Sequence, residues 1–291
     1  MLQLRHMASL ISIGQVLDHS LEHGRKHYKE LLAIVLWMVV ASIPTIAGKL
    51  VALSENNSAL TSGDWLSFSL TLLGVVLVTV VRFWMYATLT LTIADQAAGR
   101  RVNLKDTSRQ GWKVFWRYVI LTLALGLIML GVTLLAAPGL LMLLIGSSDS
   151  ASSLWSGLGM PLLFIGGLAA MFLIIKLTVE LAFAPFLLLL EKRSVKDSIT
   201  GSLALVRGRW WPTLLRFAIP KIVYFIGFAI VSFIVFKAIA LLMAILAANS
   251  QIGVLLVYTG ALFLSVFLSV IVTPFIVATD YYLYDSLRKT R

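Results

Sequence analysis

EKRSVKDSITGSLALVRGRWWPTLLRF, residues 191–217, is the most charged interruption in a very apolar chain. Val195, Ile199, Leu203, Val206 and Trp210 recur at steps of three and four, so one face of a helix is apolar. Lys192, Arg193, Lys196, Arg207 and Arg209 surround that face, and Trp210-Trp211-Pro212 opens a long apolar run. The pattern predicts a basic amphipathic helix lying on a membrane surface, followed at once by a helix that crosses it. Pro212 suits the point where a helix restarts and turns into the bilayer.

The rest of the chain has the same character. It has 291 residues, is 59% hydrophobic and only 13% charged, which leaves too little polar surface to coat a water-soluble globule. The formal net charge is +11, but the basic residues sit between long apolar spans. That placement favours anionic lipid headgroups over nucleic acid. There is no cysteine, hence no disulfide framework and no thiol chemistry. The first residues lack the apolar core of a secretory signal, so the first span is expected to serve as its own uncleaved insertion signal.

Six spans are expected, at about 31–53, 65–95, 118–137, 160–190, 214–247 and 254–284. Pro138-Gly139 breaks the third, and the apolar piece to residue 145 either lies at the surface or extends the hairpin. Twenty of the 24 Lys and Arg fall in the N-terminal segment, the loop near 100–117, the stretch 192–221 and the tail. The three alternate turns, SENNSALTSGD, GSSDSASSLWSGLG and ANSQIG, have none. Positive residues mark the cytoplasmic side. Both termini and both basic loops are therefore expected in the cytoplasm, with the protein in the bacterial inner membrane.

Ser12, Asn103 and Ser194 start equivalent segments, spaced 91 residues apart each time. From those starts the apolar face reads Ile13, Leu17, Leu21, Gly24, Tyr28, then Leu104, Ser108, Trp112, Phe115, Val119, then the series already given. Lys105-Asp106 matches Lys196-Asp197. The expected fold is an all-α integral membrane protein with six transmembrane helices as three parallel-oriented hairpins. Each hairpin is preceded by a cytoplasmic amphipathic interfacial helix. The chain forms a single membrane domain, 1–291, with internal repeats at about 12–102, 103–193 and 194–291.

FAPFLLLLEKRSVKDSITGSLALVRGRWWPTLL resembles the signature of the membrane domain found beside some glycerophosphoryl diester phosphodiesterases, and of related bacterial inner-membrane families of unknown function. Glu191 closing a span, Gly201-Ser202 within the amphipathic helix, and Gly208-Arg209-Trp210-Trp211 entering the next span carry the likeness. IGQVLDHSLEHGRKHYKELL and YYLYDSLRKTR are similar to the family's two ends. The resemblance implies a multi-pass membrane module without known chemistry. The soluble phosphodiesterase barrel and its catalytic residues have no counterpart here, so that activity is not implied. Mitochondrial carriers also have six spans, but their Pro-x-acidic-x-x-basic motif is missing: the proline in span one begins PTIAGK.

Two sets of residues are candidates for function. Arg109, Trp112, Lys113, Trp116, Arg207, Arg209, Trp210 and Trp211 are expected to contact lipid headgroups. Cations reach phosphate while their stems lie along acyl chains, and indole rings favour the boundary. Arg82, Lys176 and Glu180 are expected inside the membrane. Arg82 lies about 25 Å along span two from its start. Lys176 and Glu180 are four residues apart and share a helix face. Such groups either neutralise one another or form an anion site. Lys237 has no obvious acid, while Lys221 and Asp280 fall close enough to pair near the membrane surface. Gly166-Gly167 and Gly227 are expected to allow close helix packing.

His19, His23 and His27 follow i, i+4, i+8 spacing, which can hold a metal with Asp18 or Glu22. They fall on the solvated face of the first amphipathic helix, so they are a weak metal candidate. No Ser–His–acid arrangement, phosphate loop or dinucleotide glycine pattern appears. The expectation is therefore a non-enzymatic accessory or scaffold module without cofactor. Its expected partners are anionic membrane lipids and a partner protein in the membrane, not nucleic acid. The alternative is a transporter or lipid-handling protein with an anion site at Arg82, Lys176 and Glu180. A membrane enzyme is the third class.

Overall fold

The computed structural model describes residues 10–54, 62–146, 153–247 and 251–290. Part of each Lys- and Arg-free turn lies outside these residues. The described residues form helices, with no strand among them. In chain order the helices are α1 (Ile13–Lys26), α2 (Tyr28–Ser54), α3 (Ser62–Ala97), α4 (Leu104–Thr133), α5 (Ala137–Gly146), α6 (Ser153–Leu181), α7 (Ala184–Leu190), α8 (Val195–Val206), α9 (Trp210–Ala247), α10 (Gln251–Ile271) and α11 (Thr273–Lys289). A 3-10 turn, Leu134–Ala136, joins α4 to α5.

Six stretches are long and apolar enough to cross a membrane: Tyr28–Ala52, Trp65–Ala97, Leu104–Ile145, Leu158–Leu190, Trp210–Ile245 and Val257–Lys289. Their sides are covered with exposed Leu, Ile, Val and Phe, such as Leu127, Phe164, Phe225 and Leu241. Water would penalise such surface at about 25 cal/mol per Å², whereas acyl chains accept it. The chain is a multi-pass membrane protein.

The chain divides into two compact units. Residues 1–115 and 215–290 make up the first, and residues 116–214 form most of the second. In the first unit α2 packs along α3, α10 packs on α2, and α1 packs on α11. In the second unit α5 packs on α6, and α8 packs on α6 and α7. The break near Pro138 therefore extends the hairpin rather than leaving it. A Cβ on Gly139 would stand 2.2 Å from Leu163 N, and one on Gly166 would stand 2.5 Å from Leu135 O. Only glycine lets these backbones meet so closely. Gly167 and Gly227 face open space and serve no such contact.

Ser12, Asn103 and Ser194 each start a helix. The Ser12 hydroxyl accepts from Gln15 N at 3.2 Å, Asn103 Oδ1 from Lys105 N at 3.1 Å, and the Ser194 hydroxyl from Asp197 N at 3.1 Å. These caps satisfy orphan N–H groups of the first turn. The first and third amphipathic segments are separate helices, α1 and α8. The second differs from expectation: it runs unbroken into the third span as α4. No proline or positive-φ glycine interrupts it, whereas His27 ends α1 and Arg207-Gly208 ends α8.

One face of each segment is buried in the protein, and it shares only Gly24, Phe115 and Val206 with the apolar series. The fourth, eighth and twelfth residues after each cap are buried: Val16, Ser20, Gly24; Thr107, Gly111, Phe115; Ser198, Ser202, Val206. Of the apolar series, Leu21, Tyr28, Trp112 and Leu203 are exposed instead. The physical reason is the solvent. Beside acyl chains an apolar side chain gains little by turning inward, while small residues let backbones approach and pair their polar groups.

Candidate functional site

The eight expected headgroup residues lie on two segments. On α4, Arg109, Trp112, Lys113 and Trp116 are all exposed, and the Trp112 ring stacks on buried Trp84 with centroids 6.0 Å apart. Trp84 Nε1 donates to Ser108 O at 3.3 Å, which fixes the start of α4 against α3. Around the α8–α9 junction, Arg207 and Trp211 are exposed, while Arg209 and Trp210 are half-buried. Gly208 has φ +79, a conformation open to glycine, and it lets α8 end and α9 begin within three residues. Trp210 Nε1 donates to Lys176 O at 3.4 Å, and its ring meets Trp211 edge-on at 4.7 Å.

Pro185 is the origin of a second arrangement. It has no N–H, and α6 stops at Leu181 before α7 restarts at Ala184. The break frees Glu180 O and Phe183 N. The buried Ser202 hydroxyl serves both, donating to Glu180 O at 2.6 Å and accepting from Phe183 N at 3.2 Å. One hydroxyl on α8 thus replaces the missing helical turn between α6 and α7.

The intramembrane charges are placed as follows. Arg82 is exposed on α3 in the first unit. Lys176, exposed, and Glu180, half-buried, lie on α6 in the second. No ion pair joins Lys176 to Glu180 among the described residues; their main-chain carbonyls, as above, hold Trp210 and Ser202. Lys237 lies over the Phe233 ring, 5.6 Å from its centroid. Lys221 and Asp280 do pair, at 2.7 Å, and Lys221 also covers the Phe217 ring.

The histidine row is not uniformly solvated. His23 is buried and joins three helices. Its Nε2 lies 3.0 Å from Gln96 Oε1 at the end of α3, and its Nδ1 lies 3.1 Å from the Tyr282 hydroxyl on α11. A neutral ring with Nε2–H donating to Gln96 and Tyr282 O–H donating to Nδ1 satisfies both contacts. Burial pushes the His23 pKa below its ordinary value; His27 and Lys26 push the same way, and the Gln96 hydrogen bond opposes them. No trio of His, Cys, Asp or Glu among the described residues is arranged to hold a metal. With both ring nitrogens engaged, His23 does not join His19 and His27 as a ligand.

Each even-numbered span ends on an acid paired with a following base: Asp95 with Arg100 at 2.8 Å, Glu191 with Arg193 at 2.6 Å, and Asp285 with Lys289 at 2.5 Å. A hydroxyl-lined cavity of 370 Å³ between α2, α3 and α10 is a further feature that reading the spans one at a time does not reveal. Its signal was present as Ser42, Thr45 and Lys49 at helical spacing in span one, and as Ser265 and Ser269 in span six. No family model, no curated protein and no solved structure matches this chain.

Proposed function

We propose that this protein is a non-enzymatic accessory or scaffold module of the bacterial inner membrane, seated on anionic headgroups through its three amphipathic segments. The supporting observation is their shared division of faces. Small or compact residues at equivalent positions turn inward, and Arg109, Trp112, Lys113, Trp116, Arg207 and Trp211 remain outside. Such a face binds a charged leaflet by cation–phosphate attraction and by indole rings at the boundary. The excess of Lys and Arg on alternate loops supports a cytoplasmic position for both termini. The resemblance of residues 183–215 to the phosphodiesterase-associated membrane domain agrees with a module that accompanies other proteins.

Native mass spectrometry of the gently extracted protein tests this reading. Wild type is expected to retain phosphatidylglycerol over phosphatidylcholine. Four cations near an anionic leaflet contribute about 1 kcal/mol each, so Arg109→Gln/Lys113→Gln/Arg207→Gln/Arg209→Gln should erase most of that preference. Equal retention of both lipids by wild type would refute the proposal. The transporter or lipid-handling reading gains one supporting feature: Arg82 falls on the α3 face that lines the hydroxyl-bearing cavity.

A further inference from the structure

The cavity between α2, α3 and α10 combines hydroxyls with an unpaired cation inside an apolar span. Ser42, Thr45, Lys49, Thr79, Ser265 and Ser269 supply its polar lining, and among the described residues no carboxylate lines it. All of these residues belong to the first compact unit. Four hydroxyls donate to carbonyls of their own helices: Ser42 to Val39 O, Thr79 to Val75 O, Ser265 to Leu262 O and Ser269 to Val266 O, each at 2.7–2.8 Å. Thr45 Oγ1 is buried and has no hydrogen-bond partner among the described residues. A Cβ on Gly74 would stand 2.1 Å from that oxygen, so Thr45 and Gly74 lie level on α2 and α3.

This level sets the register of the antiparallel pair. Counting along both helices, Lys49 stands at one end of the cavity, and Arg82 stands level with Trp37, just past the lining residue Met38 at the other. Arg82 follows the lining residues Val75, Val78 and Thr79 at helical spacing, so it continues their stripe. Side chains lean toward the N-terminus of their own helix. Because α2 and α3 run in opposite directions, Lys49 and Arg82 lean toward each other across the cavity. Their Cα levels are about 18 Å apart by helical rise. Arg82 lies midway along its span, where a cation costs about 2.5–3.5 kcal/mol on insertion scales unless something offsets it, while Lys49 lies near the end of its own.

We infer that this cavity is a binding site for a small anion bearing a phosphate or carboxylate group, held between Lys49 and Arg82. The hydroxyl lone pairs, left free because each proton serves a backbone carbonyl, accept from donors on the remainder of the ligand. Either a soluble phosphate ester or the headgroup of an anionic lipid presents this chemistry. The inference does not depend on the headgroup contacts of the amphipathic segments, since it uses none of their residues.

The chain has no cysteine, so a single introduced thiol reports without background. Ser265→Cys, in nanodiscs of phosphatidylcholine, is expected to react with a charged, water-soluble thiol reagent. Inorganic phosphate at millimolar concentration should slow that reaction at least tenfold if the ligand is soluble. Replacing half the lipid by phosphatidylglycerol should slow it instead if the ligand is a headgroup. In either case Lys49→Gln/Arg82→Gln should restore the rate. Ser42→Cys, on the facing helix, repeats the measurement where Ser265→Cys fails to fold. Absence of labelling at both positions, labelling indifferent to phosphate and phosphatidylglycerol alike, or protection that survives the double substitution would each overturn the site.

Discussion

Replacing Ser202 by alanine should destabilise the second unit far more than replacing Ser198. Both side chains are fully buried on α8, one turn apart. The Ser198 hydroxyl donates only to Ser194 O in its own helix, at 2.8 Å. The Ser202 hydroxyl makes two contacts across the Pro185 break, one of them at 2.6 Å. Alanine would remove the Ser202 hydroxyl from both Glu180 O and Phe183 N in a site where Phe183 is fully buried. An unsatisfied buried group costs about 1–3 kcal/mol, and hydrogen bonds within membranes average about 0.6 kcal/mol. Two lost contacts therefore amount to about 1–3 kcal/mol. Ser198→Ala removes a bond that competes with the helix's own ladder, worth under about 0.5 kcal/mol. Thermal unfolding of both variants in one detergent, followed by tryptophan emission, gives the comparison directly. Equal midpoints for Ser202→Ala and Ser198→Ala would refute the idea that this hydroxyl bridges the broken helix.

Other substitutions probe different parts. Lys192 has φ 55, a left-handed conformation that costs an L-residue about 1–2 kcal/mol, so Lys192→Gly should raise the unfolding midpoint despite glycine's greater chain entropy. A lower midpoint would mean that the Lys192 side chain contributes more than its backbone costs. His23 has a folded pKa below its unfolded value, so the unfolded chain binds more protons. Its contribution is complete above the ordinary histidine pKa of about 6.5 and is lost as pH falls through that value toward the lowered folded one. Melting midpoints between pH 8 and pH 5 should fall less steeply in His23→Gln than in wild type; parallel curves would remove His23 from the account.

The positions of the six spans were legible because composition alone dictates them: runs of Leu, Ile, Val and Phe between polar turns admit few other readings. The three caps were legible for a similar reason, since Ser and Asn before an amphipathic run have one common use. The inward face of those runs was not legible. Periodicity identifies a face that differs from its neighbours, but which face turns inward depends on what surrounds the protein. Gly24 stood in the apolar series, but Val16 and Ser20 did not, because beside acyl chains an apolar side chain has little reason to turn inward and small residues do so in its place. His23 was misplaced for the same reason. Gln96 and Tyr282 are ordinary residues until α1, α3 and α11 meet around them. The cavity near Lys49 needed three helices from both ends of the chain, and no local pattern carries that information. The role of Ser202 was not visible: span four, 160–190, reads as one continuous run across Pro185, and nothing in the sequence said which side chain would bridge a break there.

The docking of α1 against α11 has a consequence for how the molecule is made. His23 and Tyr282 are 259 residues apart. At about 5–20 residues per second a ribosome needs roughly ten to fifty seconds to travel from one to the other. Throughout that interval α1 lacks its neighbour α11, and its buried Ser20, His23 and Gly24 stay open to whatever surveys nascent chains. Only when α11 arrives, bringing Tyr282 and the Ser286 hydroxyl that accepts from Ile11 N, does α1 find its place. Sealing of this seam thus waits on synthesis of α11, and a ribosome that stalls before Tyr282 leaves a product marked far upstream, at α1.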